Sequence, residues 1–102
     1  MDAPAIRRKL NRILSEKGAV RALLFGSAAR GTTSRRSDID LIIIDEQQLH
    51  YLDRLDKYHR DIRTALGCPV DLFVYTPAEL EAIKDRPFIR RALRESVCVY
   101  ER

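Results

Sequence analysis

Five residues between positions 26 and 71 have types and spacing that could do chemistry: Gly26, Ser27, Asp38, Asp40 and Asp71. An apolar run ends in Gly26-Ser27, ten polar and basic residues follow, and Asp38 and Asp40 then stand at the head of Leu41-Ile42-Ile43-Ile44. Carboxylates beside such a run are costly unless a cation neutralises them. Side chains alternate along a strand, which puts Asp38 and Asp40 on one face about 7 Å apart, with Ile42 and Ile44 continuing that face. Asp71 precedes Leu72-Phe73-Val74 in the same way. If the two strands are neighbours, three carboxylates converge.

Three such groups left alone would repel and take up protons. One or two Mg²⁺ ions relieve this, because they prefer carboxylate oxygens and keep positions open for phosphate and water. The Gly26-Ser27 turn supplies the complementary half. Gly26 permits close backbone approach, and the Ser27 hydroxyl with nearby N–H groups can hold phosphate oxygens at the positive end of a following helix. Arg30, Arg35 and Arg36 offer charge to the same anion or form a solvated loop. A Gly-Ser turn or an Asp-x-Asp pair alone is common; their fixed order on consecutive strands is the signal.

The elements that must position these groups are legible in the hydrophobic periodicity. Residues 5–17 space Ile6, Leu10, Ile13 and Leu14 helically, with Gly18 as cap. Residues 20–25 and 38–44 read as strands, joined by a short helix from Gly26 to Gly31 and an exposed loop over 32–37. A long helix is expected over about 47–66, with Leu52, Leu55, His59, Ile62 and Leu66 on its inner face. Asp53–Lys57 and Asp56–Arg60 pairs belong outside. Residues 70–75 form a third strand, Thr76-Pro77 with Glu79 a capped helix start, 88–95 a last helix and 97–100 a strand or extended tail. The expected class is α/β (α+β), a small mixed sheet flanked by helices, in one domain over residues 1–102.

Composition narrows the functional classes. Apolar residues make up 45% and charged residues 33%, proportions of a folded protein rather than a disordered tail. No run reaches the roughly 18 apolar residues of a membrane span, and the N-terminal segment lacks a signal-peptide core, so a cytoplasmic protein with no membrane role is expected. Cys68 and Cys98, 30 positions apart, have no metal-ligand spacing and are expected as buried free thiols. The net charge of +4 comes largely from arginines spread through the helices. Arg90, Arg91 and Arg94 read as a solvated face or a docking surface for an acidic partner.

Gly26-Ser27, ten residues and Asp38-Ile39-Asp40 match the GSx10DxD signature of the DNA polymerase β-like nucleotidyltransferase superfamily. The run "GSAARG…SDIDL", followed by "PVDLF" and "FIRRALRESVCVY", resembles its minimal nucleotidyltransferase (MNT) branch over residues 5–100. The resemblance implies that Asp38, Asp40 and Asp71 hold two Mg²⁺ ions and carry catalysis. It also implies that Gly26 and Ser27 hold the triphosphate of ATP, with Arg30 as a further contact. The implied reaction is attack of an acceptor hydroxyl on the α-phosphorus, with nucleoside monophosphate transferred, pyrophosphate leaving and Asp71 placed to take the hydroxyl proton.

Larger nucleotidyltransferases carry a helical acceptor-binding domain for which 102 residues leave no room. A partner is therefore expected to supply that surface. MNT proteins resembling this chain pair as antitoxins with HEPN-domain ribonuclease toxins. They transfer AMP to a tyrosine of the toxin, in a type VII-like toxin–antitoxin pair, which implies a hetero-oligomer. Two alternatives stay open: an aminoglycoside-like small-molecule nucleotidyltransferase, and a non-catalytic antitoxin that acts by occlusion. Nucleic acid is not the expected substrate. His50, His59 and the four tyrosines are assigned to packing or surface.

Overall fold

The computed structural model describes residues 1–26, 29 and 38–102. The expected short helix after Gly26, and with it Ser27, Arg30, Arg35 and Arg36, lies outside the described residues except for single turn positions at Gly26 and Ala29.

The chain begins with α1 (Ala3–Lys17), where the Asp2 side chain accepts the Ala5 N–H at 3.0 Å and Gly18 closes the helix at φ 76°. Then come β1 (Arg21–Phe25), β2 (Ile39–Ile44), α2 (Tyr51–Leu66), β3 (Val70–Tyr75), α3 (Pro77–Ile83), α4 (Pro87–Glu95) and β4 (Val97–Glu101). Thr76 and Glu79 form the expected reciprocal capping box at the start of α3.

The sheet order is β3-β2-β1-β4. β1 pairs antiparallel with both β2 and β4, while β2 and β3 run parallel, as their connection through α2 requires. The sheet is therefore mixed, and the C-terminal segment is a true strand rather than a loose tail.

Alternation divides the sheet into two chemically different faces. Ala22, Leu24, Ile39, Leu41, Ile43, Val70, Leu72, Val74 and Val99 form the main core with Ile6, Leu10 and Leu14 of α1 and Tyr58, Ile62 and Leu66 of α2. The opposite face carries a smaller cluster of Leu23, Phe25 and Ile42 closed by Ala92 of α4. Asp40 lies on that second face, in line with Ile42, and Asp71 shares it through its pairing with Asp40.

The inner face of α2 differs from the expected one. Leu52 is 71% exposed and His59 only half-buried, whereas Arg54 and Tyr58 are buried. Both polar tips have partners from elsewhere in the chain. Arg54 Nη2 donates to Glu79 Oε2 at 2.9 Å, with Nη1 on Glu79 Oε1, and the Tyr58 hydroxyl donates to Asp45 Oδ2 at 2.6 Å. Burial of their apolar parts becomes favourable once these bonds form, although Arg54 Nε is buried without a partner among the described residues. Lys57 likewise reaches Asp45 Oδ2 at 2.8 Å and Gln47 Oε1 at 2.9 Å rather than serving only an outer pair with Asp53. Cys68 and Cys98 are free, as expected, but half-buried rather than buried.

Candidate active site

The second face of the sheet is organised in rows across the strands. In the outermost row Phe25 of β1 pairs with Asp40 of β2, and Asp40 pairs with Asp71 of β3. The next row is Leu23, Ile42 and Phe73. Parallel strands lie about 4.8 Å apart, so the register alone holds the Asp40 and Asp71 carboxylates side by side at the same end of the sheet. A slip of one residue in either strand would turn one of them into the main core. The Val70–Leu72 and Ile39–Leu41 pairs, buried on the other face, fix that register.

Gly26 follows β1 directly, at φ 73°. A side chain there would be strained by that backbone, and its Cβ would stand inside contact distance of Asp40 Oδ2. The neighbour that comes close to Gly26 is the Asp40 carboxylate.

Asp38 occupies a different position. It is exposed and stands one residue before the first ladder pair, Ile39 with Val70. Among the described residues no three histidine, cysteine, aspartate or glutamate side chains form a group able to hold a metal ion. The expected convergence of three carboxylates is therefore reduced to an aligned pair, Asp40 and Asp71, with Asp38 at the rim. The ladder that aligns the pair starts only after Asp38. Ser27 and Arg30 lie outside the described residues.

The pair still suits Mg²⁺. This ion takes one or two protein carboxylates and completes its shell with phosphate and water, so a dedicated protein cage is not required. The donors are hard oxygens, and the room for phosphate and water is present. Asp40, Asp71 and Gly26 line a cavity of about 420 Å³. Phe25, Phe73 and Phe88, with Ala92, Arg91 and Glu95 from α4, line the same cavity.

The α4 contribution was not among the expected site residues. Phe88, Arg91, Ala92 and Glu95 are spaced i, i+3, i+4 and i+7, one face of a helix. That pattern is visible in the sequence, but only the fold lays α4 across β1 beside the carboxylates.

Residues 8–102 match the model of the family described as Polymerase beta, Nucleotidyltransferase. A Methanocaldococcus jannaschii protein, provisionally named a protein adenylyltransferase, is 35% identical over 95 residues, covering 90% of this chain and 88% of the relative. A solved structure provisionally named a minimal nucleotidyltransferase superposes with a TM-score of 0.68 at 29% identity, covering 95% of each chain. A chain from the solved complex of a tri-AMPylated Shewanella oneidensis HEPN toxin with its MNT antitoxin shares the fold. It has a TM-score of 0.60 at 16% identity, over 95% of this chain and 71% of that one. The family match runs through β1, β2 and β3, the strands that carry Gly26, Asp40 and Asp71, and the chain belongs to the polymerase β nucleotidyltransferase family, as an enzyme that transfers nucleotides.

Proposed function

We propose that residues 1–102 act as a single minimal nucleotidyltransferase domain that moves AMP from ATP to a protein hydroxyl, a tyrosine of a HEPN-domain toxin, and so serves as an antitoxin. The observation that carries this reading is the alignment of Asp40 with Asp71, with Gly26 pressed against Asp40 beside an open cavity. Support for a protein acceptor comes from the M. jannaschii relative's name and from the AMPylated toxin in the Shewanella complex.

Two Mg²⁺ ions, held by the aligned Asp40 and Asp71 with Asp38 joining from the rim, would supply charge neutralisation for the triphosphate and lower the pKa of the acceptor hydroxyl. The chain's own residues do the rest. Gly26 gives the triphosphate access to the sheet edge, and Ser27 with Arg30 binds its oxygens. Asp71, on the outer of the two strands, takes the acceptor proton. The acceptor oxygen bonds to the α-phosphorus, the bond from that phosphorus to the bridging oxygen breaks, and pyrophosphate departs with the electron pair.

The deciding experiment incubates the protein with ATP, Mg²⁺ and the product of its neighbouring gene, followed by intact-mass measurement. Gain of whole AMP units on the partner, abolished by Asp40→Asn, is the expected result. Inhibition of the partner with no mass gain, unaffected by Asp40→Asn, would replace transfer with simple occlusion.

A further inference from the structure

The cavity beside the carboxylates is lined by polar and aromatic groups together. Gly26, Asp40 and Asp71 supply the polar lining. Beside them stand aromatic rings, Phe25 in the same row as Asp40: Phe88 lies 5.9 Å from Phe25 at an interplanar angle of 81° and 5.7 Å from Phe73, and Phe25 and Phe73 are 6.0 Å apart. Three rings from β1, β3 and α4 thus converge on one space. Phe88 stays 56% exposed there, while its helix is anchored to the sheet by buried Ile89 and Ala92. An exposed phenylalanine alone is ordinary. This one, however, caps an aromatic wall shared with the aligned carboxylates.

We propose that this aromatic wall seats the nucleobase of the bound nucleotide, with Phe88 as its stacking platform. The inference rests on the nucleotidyltransferase reading above and adds where the base sits and which residue holds it. A nucleobase is tethered to the reacting phosphate through one ribose, so it must fall about one sugar's length from the phosphate that the carboxylates serve. About 420 Å³ falls within the range of small-ligand pockets, roughly 300–1,000 Å³. An acceptor ring would instead arrive from outside on a partner surface. Stacking on an aromatic face needs no hydrogen-bond partner, which suits a wall of phenyl rings.

The test measures binding of Mg-ATP and of magnesium tripolyphosphate, which lacks base and ribose, to the full chain by calorimetry. Phe88→Ala should weaken Mg-ATP about tenfold and leave tripolyphosphate within about twofold, Phe88→Tyr should restore wild-type affinity, and Phe88→Leu should fall between. Melting curves of all three variants confirm a folded chain. Equal loss for both ligands, or unchanged Mg-ATP affinity, overturns the assignment. So does unchanged Mg-ATP affinity with a raised KM for the acceptor protein, which would give the aromatic wall to the acceptor ring. Failure of the wild-type chain to bind either ligand would instead sink the nucleotidyltransferase reading beneath it.

Discussion

The two ends of β2 present carboxylates in opposite settings. Past its C-terminal end, Asp45 is 2% exposed and both its oxygens are engaged: Oδ1 by the Gln47 N–H at 2.8 Å, Oδ2 by Lys57 and the Tyr58 hydroxyl. Burial alone would raise its carboxyl, but the hydrogen bonds from Lys57, Tyr58 and Gln47 outweigh it and hold the pKa below the ordinary value. Near the other end, Asp40 and Asp71 are aligned at the edge of an open cavity, beside a glycine that makes room. One carboxylate is sealed by the chain's own donors, which is how a buried charge holds a fold together. The other two face a space where phosphate, metal or water can enter. The same residue type is thus sealed at one end of the sheet and opens on a cavity at the other.

This contrast can be broken from either side. Asp40→Asn or Asp71→Asn should lower transfer by at least about 10³-fold while moving the melting temperature little, read by AMP incorporation and thermal unfolding. A large stability loss with retained activity would reverse the assignment. Asp45→Ala should destabilise the fold by about 3 kcal/mol, since it strands Lys57 and Tyr58 beside a cavity, and should spare transfer by the fraction that remains folded. Denaturant unfolding measures this directly. Gly26→Ala combines both effects, with about 1–3 kcal/mol of backbone strain and a displaced Asp40 carboxylate. Its transfer rate should therefore drop more than its stability predicts.

The pH response sharpens the structural side. Hydrogen bonds from Arg54, above all, bring Glu79 from its ordinary 4.5 down to about 2. A carboxyl depressed on folding stabilises the protein above its unfolded pKa and loses that contribution as pH falls through the window from 4.5 toward 2. Asp45 acts in the same direction. Stability should therefore decline across that window, and Glu79→Gln should flatten part of the decline in melting temperature. Glu79 is partly open to solvent, which keeps this the smallest of the four effects.

The alignment of Gly26, Asp40 and Asp71 was more legible than the packing of α2. Gly26, Asp40 and Asp71 could be singled out because strand period and residue type are local properties. The inner face of α2 was misjudged because burying Arg54 and Tyr58 depends on Glu79 and Asp45, residues 25 and 13 positions away. The face formed by Phe88, Arg91, Ala92 and Glu95 was readable as amphipathic, but nothing local says what such a face covers.

Residue order by itself determined the strands, the helix caps, the signature of Gly26-Ser27 with Asp38 and Asp40, and the matching place of Asp71. These follow from backbone preference and alternation over a few residues. Tertiary structure alone decided that β2 and β3 are parallel neighbours in a register that pairs Asp40 with Asp71, that Asp38 falls outside that ladder, and that α4 closes an aromatic wall beside them. Those outcomes depend on contacts between distant segments, where burial of the whole sheet selects one register from many.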